Sequence, residues 1–133
     1  MQELYKCESI EMNRDMDLVR ELLIAIADGP RFDGTRCLTP TKPEDFGITN
    51  HSREEVYYHL TMLIEAGFIK GKVGLGVPGI SKLTWEGHEF LDNVKDTSVW
   101  ESTKARVAGL PGVAIAVIAE IAKAEIKKKL GLP

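Results

Sequence analysis

The sequence predicts a single α+β domain, and three observations lead to this prediction. A helical pattern of apolar residues runs from position 52 to 67, and Ser52 and Glu55 have the spacing of a capping box. Two strand-like segments follow on either side of a Gly/Pro-rich turn, which predicts an antiparallel hairpin. A chain of 133 residues can bury one core but is too short for two ordinary domains. A helix followed by such a hairpin is typical of the second half of a winged helix-turn-helix.

The N-terminal part is predicted to contain a leader and a first helix. Residues 1–11 show no helical or strand period, so we interpret them as a leader outside the domain that is either frayed or laid across the surface. The helix is predicted to run from an N-cap at Asn13 to about Ala27, because Gly29-Pro30 is a typical helix stop. Its apolar residues have helical spacing: Met16, Val19, Leu22, Leu23 and Ile26.

The segment 30–49 is predicted to hold two short elements. Residues 36–38, Arg-Cys-Leu, are a candidate strand that would add a third member to the hairpin sheet. Thr41 and Glu44 have capping-box spacing, and Gly47 is a candidate stop. A short second helix is therefore predicted around residues 42–46.

The main helix is predicted to start after Ser52 and to end at Gly67. Glycine suits this end because it adopts the left-handed conformation without a Cβ clash. The buried stripe consists of Val56, Leu60, Leu63 and Gly67, with Ile64 beside it. At 100° per residue the opposite, outward face is centred on Glu54, Tyr58, Thr61 and Glu65.

The hairpin is predicted from a change to strand-like residues. Phe68, Ile69 and Val73 mix with Lys70 and Lys72, which indicates a strand with one apolar face. Residues 74–79, GLGVPG, are predicted to form a loop at the tip. The returning strand is predicted to carry Ile80, Leu83 and Trp85. The pattern leaves the register of the two strands open.

The C-terminal part is predicted to be helical. Thr84 is a candidate cap for a helix with Phe90, Leu91 and Val94, and Ser98 with Glu101 is a candidate capping box for the next helix, which holds Trp100 and Val107. After a break at 109–112, the last helix is predicted from about 113 to 130, with lysines at 127–129 near the negative end of its dipole. The chain thus divides into a winged-helix domain at 12–97 and a C-terminal helical extension at 98–133, which packs on the same domain or forms a dimer interface.

Composition favours a globular protein that is not built to coat nucleic acid. The hydrophobic share is 44%, the charged share 28% and the net charge −3. No apolar run approaches the roughly 18 residues needed to cross a bilayer, and the first residues lack a signal-peptide core. Cys7 and Cys37 have neither disulfide-framework nor metal spacing. We expect a cytoplasmic protein with no membrane partner and no cofactor.

Enzyme chemistry is not predicted. The sequence has no nucleophile elbow, no phosphate-binding glycine loop and no Cys/His pair at useful spacing. His51, His59 and His88 invite a metal site, but His59 flanks the buried stripe and fits a packed residue with one hydrogen bond. The other two histidines are expected at the surface. No metal site is therefore predicted, and Trp85 and Trp100 are expected in the core.

A resemblance to known proteins supports the fold prediction. Residues 58–69, YHLTMLIEAGFI, resemble the HL..L..AGLI stretch of many bacterial winged-helix regulators. Together with MNRDMDLVRELLIAI at 12–26, LTWEGHEFLD at 83–92 and the Val99-Trp100 helix, the chain resembles a family of short bacterial and phage proteins, the domain of unknown function twenty-five thirteen. The resemblance covers roughly residues 12–130. It implies a winged-helix fold and a link to phage and other mobile elements, but it transfers no activity and no functional residue.

DNA binding, as in a small transcription regulator, is the leading functional prediction, because winged helices are usually used in this way. Two carboxylates, Glu54 and Glu65, stand in the face that would enter the groove. The alternative is therefore a winged helix that serves as a protein-interaction or dimerisation module and meets a basic partner. The candidate DNA contacts are Arg53, Tyr57, Tyr58, Thr61, Lys70, Lys72 and Lys82.

The last helix is the candidate for homodimer contact. Residues 113–119 are apolar on every side, and burying such surface at roughly 25 cal/mol per Å² favours a second copy across a two-fold axis. The alternative is that this helix lies deep in the monomer. The candidate interface residues are Val113, Ile115, Val117, Ile118 and Ile121.

Overall fold

A computed structural model describes residues 14–40, 43–110 and 112–133. Along these residues it has five α-helices and one two-stranded antiparallel sheet, which confirms the α+β prediction. Helices α1 to α5 span Met16–Asp28, Arg53–Glu65, Trp85–Val94, Thr97–Val107 and Ile115–Lys129. Strands β1 and β2 span Ile69–Gly74 and Val77–Leu83. A short 3-10 helix spans Pro43–Phe46, between α1 and α2. The predicted leader at 1–11 and the candidate caps Asn13 and Thr41 lie outside the described residues.

Helix α1 begins after Asp15, so the predicted start at Asn13 is wrong. The Asp15 side chain accepts a hydrogen bond from the backbone N–H of Leu18, as an N-cap does. Both residue types are good caps, and a tertiary contact selects between them. The Asp15 backbone N–H donates to Nε2 of His59 on α2 at 2.8 Å, which holds Asp15 in extended conformation just outside the helix. Of the predicted stripe, Val19, Leu22, Leu23 and Ile26 are buried and Met16 is half-buried. Leu18, which the prediction left out, is buried as well.

Helix α2 has the ends that the sequence predicts. Ser52 and Glu55 form a complete capping box. At the other end Gly67 has a φ of 84°, and the N–H groups of Gly67 and Phe68 donate to the carbonyls of Ile64 and Leu63. This is a Schellman motif, which requires the left-handed residue.

The hairpin is longer than predicted, and the predicted loop over 74–79 is wrong. Gly74 pairs with Val77, so the turn consists of Leu75 and Gly76 alone. Their φ angles are 55° and 78°, the left-handed pair that matches the twist of a tight hairpin. The register shifts once, between Lys70 and Gly71. The bulge explains why the sequence pattern did not determine the register.

The predicted strand at 36–38 is reduced to one residue. Leu38 forms an isolated antiparallel bridge with Ile80, with both backbone hydrogen bonds at 2.8 Å. Pro40, two residues on, stands where the next ladder hydrogen bond would form, and it has no N–H to donate. Beyond it, the predicted second helix is a single 3-10 segment, and Gly47 ends it with a φ of 72°.

The two tryptophans have opposite environments. Trp100 is 3% exposed and lies in the core, as predicted. Trp85 is 76% exposed and is the first residue of α3, so the predictions that it ends a strand and lies in the core are wrong. The cause is Thr84, whose side chain accepts from Gly87 N–H and donates to the Gly67 carbonyl. Thr84 is thus the N-cap, as predicted, and Trp85 is the first residue of the helix that follows it.

The N-cap of helix α4 is Asp96, so the predicted capping box of Ser98 and Glu101 is wrong. The Asp96 carboxylate accepts from Val99 N–H at 3.0 Å and from the Ser98 hydroxyl at 2.6 Å. The hydrogen bond from Ser98, that from Val99 and the ammonium of Lys129 hold the pKa of Asp96 well below its usual range. The charged Asp96 carboxylate accepts from both donors and therefore caps the helix, and the Ser98 hydroxyl is one of its donors instead of being the cap.

The C-terminal helices pack on the same core as α1. Trp100 Nε1 donates to Asp17 at 2.7 Å, and Lys104 pairs with the same carboxylate oxygen at 3.0 Å. Arg20 of α1 donates to the carbonyls of Val94 and Lys95. These carbonyls lie at the end of α3, where the helix itself supplies no donor.

Replacement of Asp17 by asparagine is expected to lower stability at about pH 7 and to have little effect at about pH 2. Burial raises the pKa of Asp17, but hydrogen bonds from Trp100 and Lys104 outweigh it, and the net pKa lies below the ordinary 3.8. A lowered folded-state pKa contributes stability above the unfolded value and loses it as the pH falls through the folded value. Thermal melts across this range test the expectation. Asp92→Asn is the control, since Asp92 is exposed and has no partner among the described residues. If the loss of stability depended on pH equally in both variants, the assigned role of Asp17 would be wrong.

Candidate nucleic-acid interface

The outward face of α2 lies where the helical period predicts it. Arg53, Glu54, Tyr58 and Glu65 are exposed, and Thr61 is half-buried. Val56, Leu60 and Leu63 lie on the opposite side in the core. The exposed face therefore combines one guanidinium and one phenol with two carboxylates.

Tyr57 differs from the other predicted contacts. It is half-buried, and its hydroxyl donates to the carbonyl of Pro40 at 2.5 Å. This bond ties α2 to the segment just before the 3-10 helix. Tyr57 thus orients α2, and its hydroxyl is engaged inside the protein.

The three predicted lysines lie on one face of the hairpin. Lys70 is directly opposite Lys82, and Lys72 follows two residues along β1, so all three side chains share a face. The Lys82 stem passes within 3.1 Å of the position that a Cβ would occupy on Gly34. The lysine face therefore lies on the side of the 33–39 segment.

The opposite face of the hairpin packs on α2. A Cβ on Gly71 would lie 3.1 Å from Cδ1 of Ile64, which places Gly71 against the helix. The structure thus brings Lys70, Lys72 and Lys82 together, but it separates them from the outward face of α2 by the thickness of the hairpin. The sequence did not predict this separation, because it depends on the register.

The cations of this region have no acidic partner among the described residues. The ion pairs within the described segments involve other groups, such as Lys104 with Asp17 and Arg106 with Glu125. Arg53, Lys70, Lys72 and Lys82 form none of them. Their charge is available to an external anion.

The histidines support the position of α2. His59 is buried, accepts from Asp15 N–H through Nε2 and lies 2.8 Å from the Glu55 carbonyl through Nδ1. It makes two hydrogen bonds where one was predicted.

His51 is half-buried beside Glu55, in contrast to its predicted surface position, and His88 is exposed. Hydrogen bonds from Ser52 N–H and from the ring of His51 lower the pKa of Glu55. Across the described residues, no group of three metal-ligating side chains is close enough to hold an ion.

The candidate dimer residues differ in exposure. Ile118 is 3% exposed in the monomer core, Val113 and Ile115 pack against that core, and Ile121 is half-buried. Val117 is 48% exposed. Most of the apolar surface of this segment is therefore covered within one chain, and only Val117 of the five remains well exposed.

Sequence reasoning did not single out Leu75 at the tip of the hairpin. It was assigned to a loop, although Leu-Gly between two pairing strands has the length of a two-residue turn. Leu75 is fully exposed at a positive φ. An apolar residue at such a position is a candidate contact.

Fold and site together define a small α+β protein that exposes one face of a helix beside a lysine-bearing hairpin. The chain belongs to the family described as "Hypothetical protein (DUF2513)", which matches residues 13–114. An uncharacterized protein of Haemophilus influenzae is 32% identical over 100 residues, which cover 72% of this chain and 79% of that protein. No solved structure matches the chain. None of the helices among the described residues has the length and apolar character needed to span a bilayer.

Proposed function

We propose that the protein binds double-stranded DNA as a winged-helix, transcription-regulator-like protein. The order of elements supports this: helix α1, the Leu38 bridge, the 3-10 helix, α2 and the β1–β2 hairpin. In this interpretation α2 enters the major groove and the hairpin is the wing. The inference from element order to DNA binding is an analogy with the usual use of the fold.

The observation that carries the proposal is the lysine face of the hairpin. Lys70, Lys72 and Lys82 share it and have no acidic partner among the described residues. Residues 66–85 contain these three lysines and no acidic residue, although the whole chain has a net charge of −3. Unpaired lysines on a projecting hairpin suit phosphate contacts, which position a protein on DNA without reading its sequence.

The division of the site suggests distinct roles for its two parts. Arg53, Tyr58 and Thr61 on α2 supply donors for base edges or nearby phosphates. The lysines, on the far face of the hairpin, contact a neighbouring stretch of backbone. Tyr57 acts indirectly, because its bond to Pro40 holds α2 in place.

Substitution of Lys70 and Lys72 by glutamate is expected to weaken binding to mixed-sequence duplexes and to flatten its salt dependence. Loss of two phosphate contacts lowers the slope of log K against log salt by about 2. Titrations by fluorescence anisotropy at several salt concentrations measure both quantities. The matched control is Lys123→Glu with Lys127→Glu, because these exposed lysines lie on α5, which packs on α3 and α4. Wild-type protein that binds no duplex at low salt would end the proposal, and so would an equal effect of the two double variants.

A second candidate, protein interaction, is favoured by the exposed carboxylates Glu54 and Glu65 on the outward face of α2. Two negative charges repel a phosphate-lined groove but attract a basic partner. The same titration separates the candidates. Glu54→Gln with Glu65→Gln strengthens DNA binding if this face enters a groove, and leaves it unchanged if the face meets protein.

A homodimer that pairs two copies of α2 stays part of the proposal. In this homodimer, Val117, which is well exposed on α5, contacts the second copy. The stoichiometry of the DNA complex in these titrations reports directly on it.

A further inference from the structure

The tip of the hairpin holds a leucine in an unfavourable backbone conformation. Leu75 has a φ of 55° and is the one non-glycine residue with a positive φ among the described residues. Two-residue turns of this type favour asparagine, aspartate or glycine at that position, because a Cβ of an ordinary residue crowds the backbone there. A leucine therefore strains the turn.

Burial of the Leu75 side chain does not offset this strain. Leu75 is fully exposed, and Val73 and Val77, two residues before and after it on opposite faces of the hairpin, are 44% and 39% exposed. The tip thus presents three apolar side chains to solvent and carries no charge. A strained and fully exposed leucine breaks two local rules at once, which is a pattern found at functional sites.

We propose that Leu75 is an apolar wedge that enters the minor groove of DNA and partly unstacks one base step. This inference rests on the proposed DNA binding and assigns a contact within it. Leucine is among the side chains that proteins insert between base steps from the minor groove. The groove is only about 6 Å wide, which is narrower than a two-stranded hairpin with its side chains, but the single exposed side chain of Leu75 at the tip can enter it.

The charges behind the tip favour DNA over an apolar protein pocket. Lys72 lies three residues before Leu75, roughly 10 Å along an extended strand, and Lys70 and Lys82 lie further back on the same face. Groove walls are lined with phosphates, so a tip that enters the groove brings these lysines close to anions. A protein pocket for Leu75 would not account for the three lysines behind the tip, which have no acidic partner among the described residues.

Leu75→Asn separates the wedge from the stability of the fold. Asn-Gly is a preferred sequence for this turn, so the variant is expected to melt at the same temperature as wild type or higher. It removes the apolar side chain, so we expect duplex affinity to fall about tenfold or more. The control is Leu132→Asn, the same substitution at an exposed leucine near the C-terminus.

The direct readout is a duplex that carries 2-aminopurine at its flexible TA steps, because unstacking raises the fluorescence of this base analogue. Wild type and Leu132→Asn are expected to raise the fluorescence, and Leu75→Asn is expected to leave it unchanged. If wild type binds the duplex but raises no fluorescence, or if Leu75→Asn binds equally well with the same signal, the wedge is overturned while DNA binding stands. If wild type binds no duplex, the proposed function fails, and the wedge fails with it.

Discussion

Gly87→Ala is expected to destabilise the protein by about 3 kcal/mol, although it replaces a glycine inside a helix. Gly87 lies in the first turn of α3 and is buried against the start of the hairpin. A Cβ at this position would lie 2.2 Å from the carbonyl oxygen of Phe68 and 3.1 Å from its carbonyl carbon. The Phe68 backbone cannot move away easily, because its N–H donates to Leu63 and its carbonyl accepts from Thr84.

Sequence reasoning alone leads to the opposite sign for this substitution. In an exposed helix interior, alanine is more favourable than glycine by roughly 1 kcal/mol. Urea unfolding followed by circular dichroism measures the difference. Gly74→Ala is the matched control, because a Cβ there meets nothing within 4 Å. A Gly87→Ala protein as stable as wild type would show that α3 approaches the hairpin less closely than described.

His59→Ala is expected to cost about 3 kcal/mol of unfolding free energy. The imidazole is buried between α1 and α2, and its Nε2 is the acceptor for the Asp15 backbone N–H. A backbone N–H only donates, so Nε2 carries no proton and Nδ1 donates to the Glu55 carbonyl. Truncation leaves a cavity and takes the acceptor away from a partly buried N–H at the N-cap of α1.

Two further variants make this expectation specific to the hydrogen bond. His59→Gln keeps an acceptor at similar reach, so its loss of stability is expected to be clearly smaller than that of His59→Ala. His88→Ala changes an exposed histidine and is expected to stay within about 0.5 kcal/mol of wild type. Equal losses for the alanine and glutamine variants would mean that packing alone explains the role of His59.

The sequence was informative wherever one short segment decides the structure. The capping box at Ser52, the left-handed stop at Gly67 and the buried stripe of α2 depend on contacts within a few residues of each other. Such contacts have fixed spacing, so the pattern reveals them. The outward face of α2, with Arg53 and Tyr58, follows from the same geometry.

The candidate site was predicted only in part, because its shape depends on the hairpin register. A strand has a period of two, so the face to which each lysine points depends on pairing and on the bulge beside Lys70. The lysines were predicted as a group. Their position on the face away from α2 was not predicted, and neither was the strained Leu75 at the tip.

By itself, the sequence determined the α+β class, the order of most elements and the family to which the chain belongs. The tertiary structure decided between chemically similar candidates. His59 selects Asp15 as the first cap, Asp17 accepts from the buried indole of Trp100 while Trp85 stays in solvent, and Phe68 requires glycine at 87. The physical reason is the separation of the interacting residues along the chain. Local patterns show which conformation a segment favours, whereas these choices depend on atoms from residues far away in the chain or from another element.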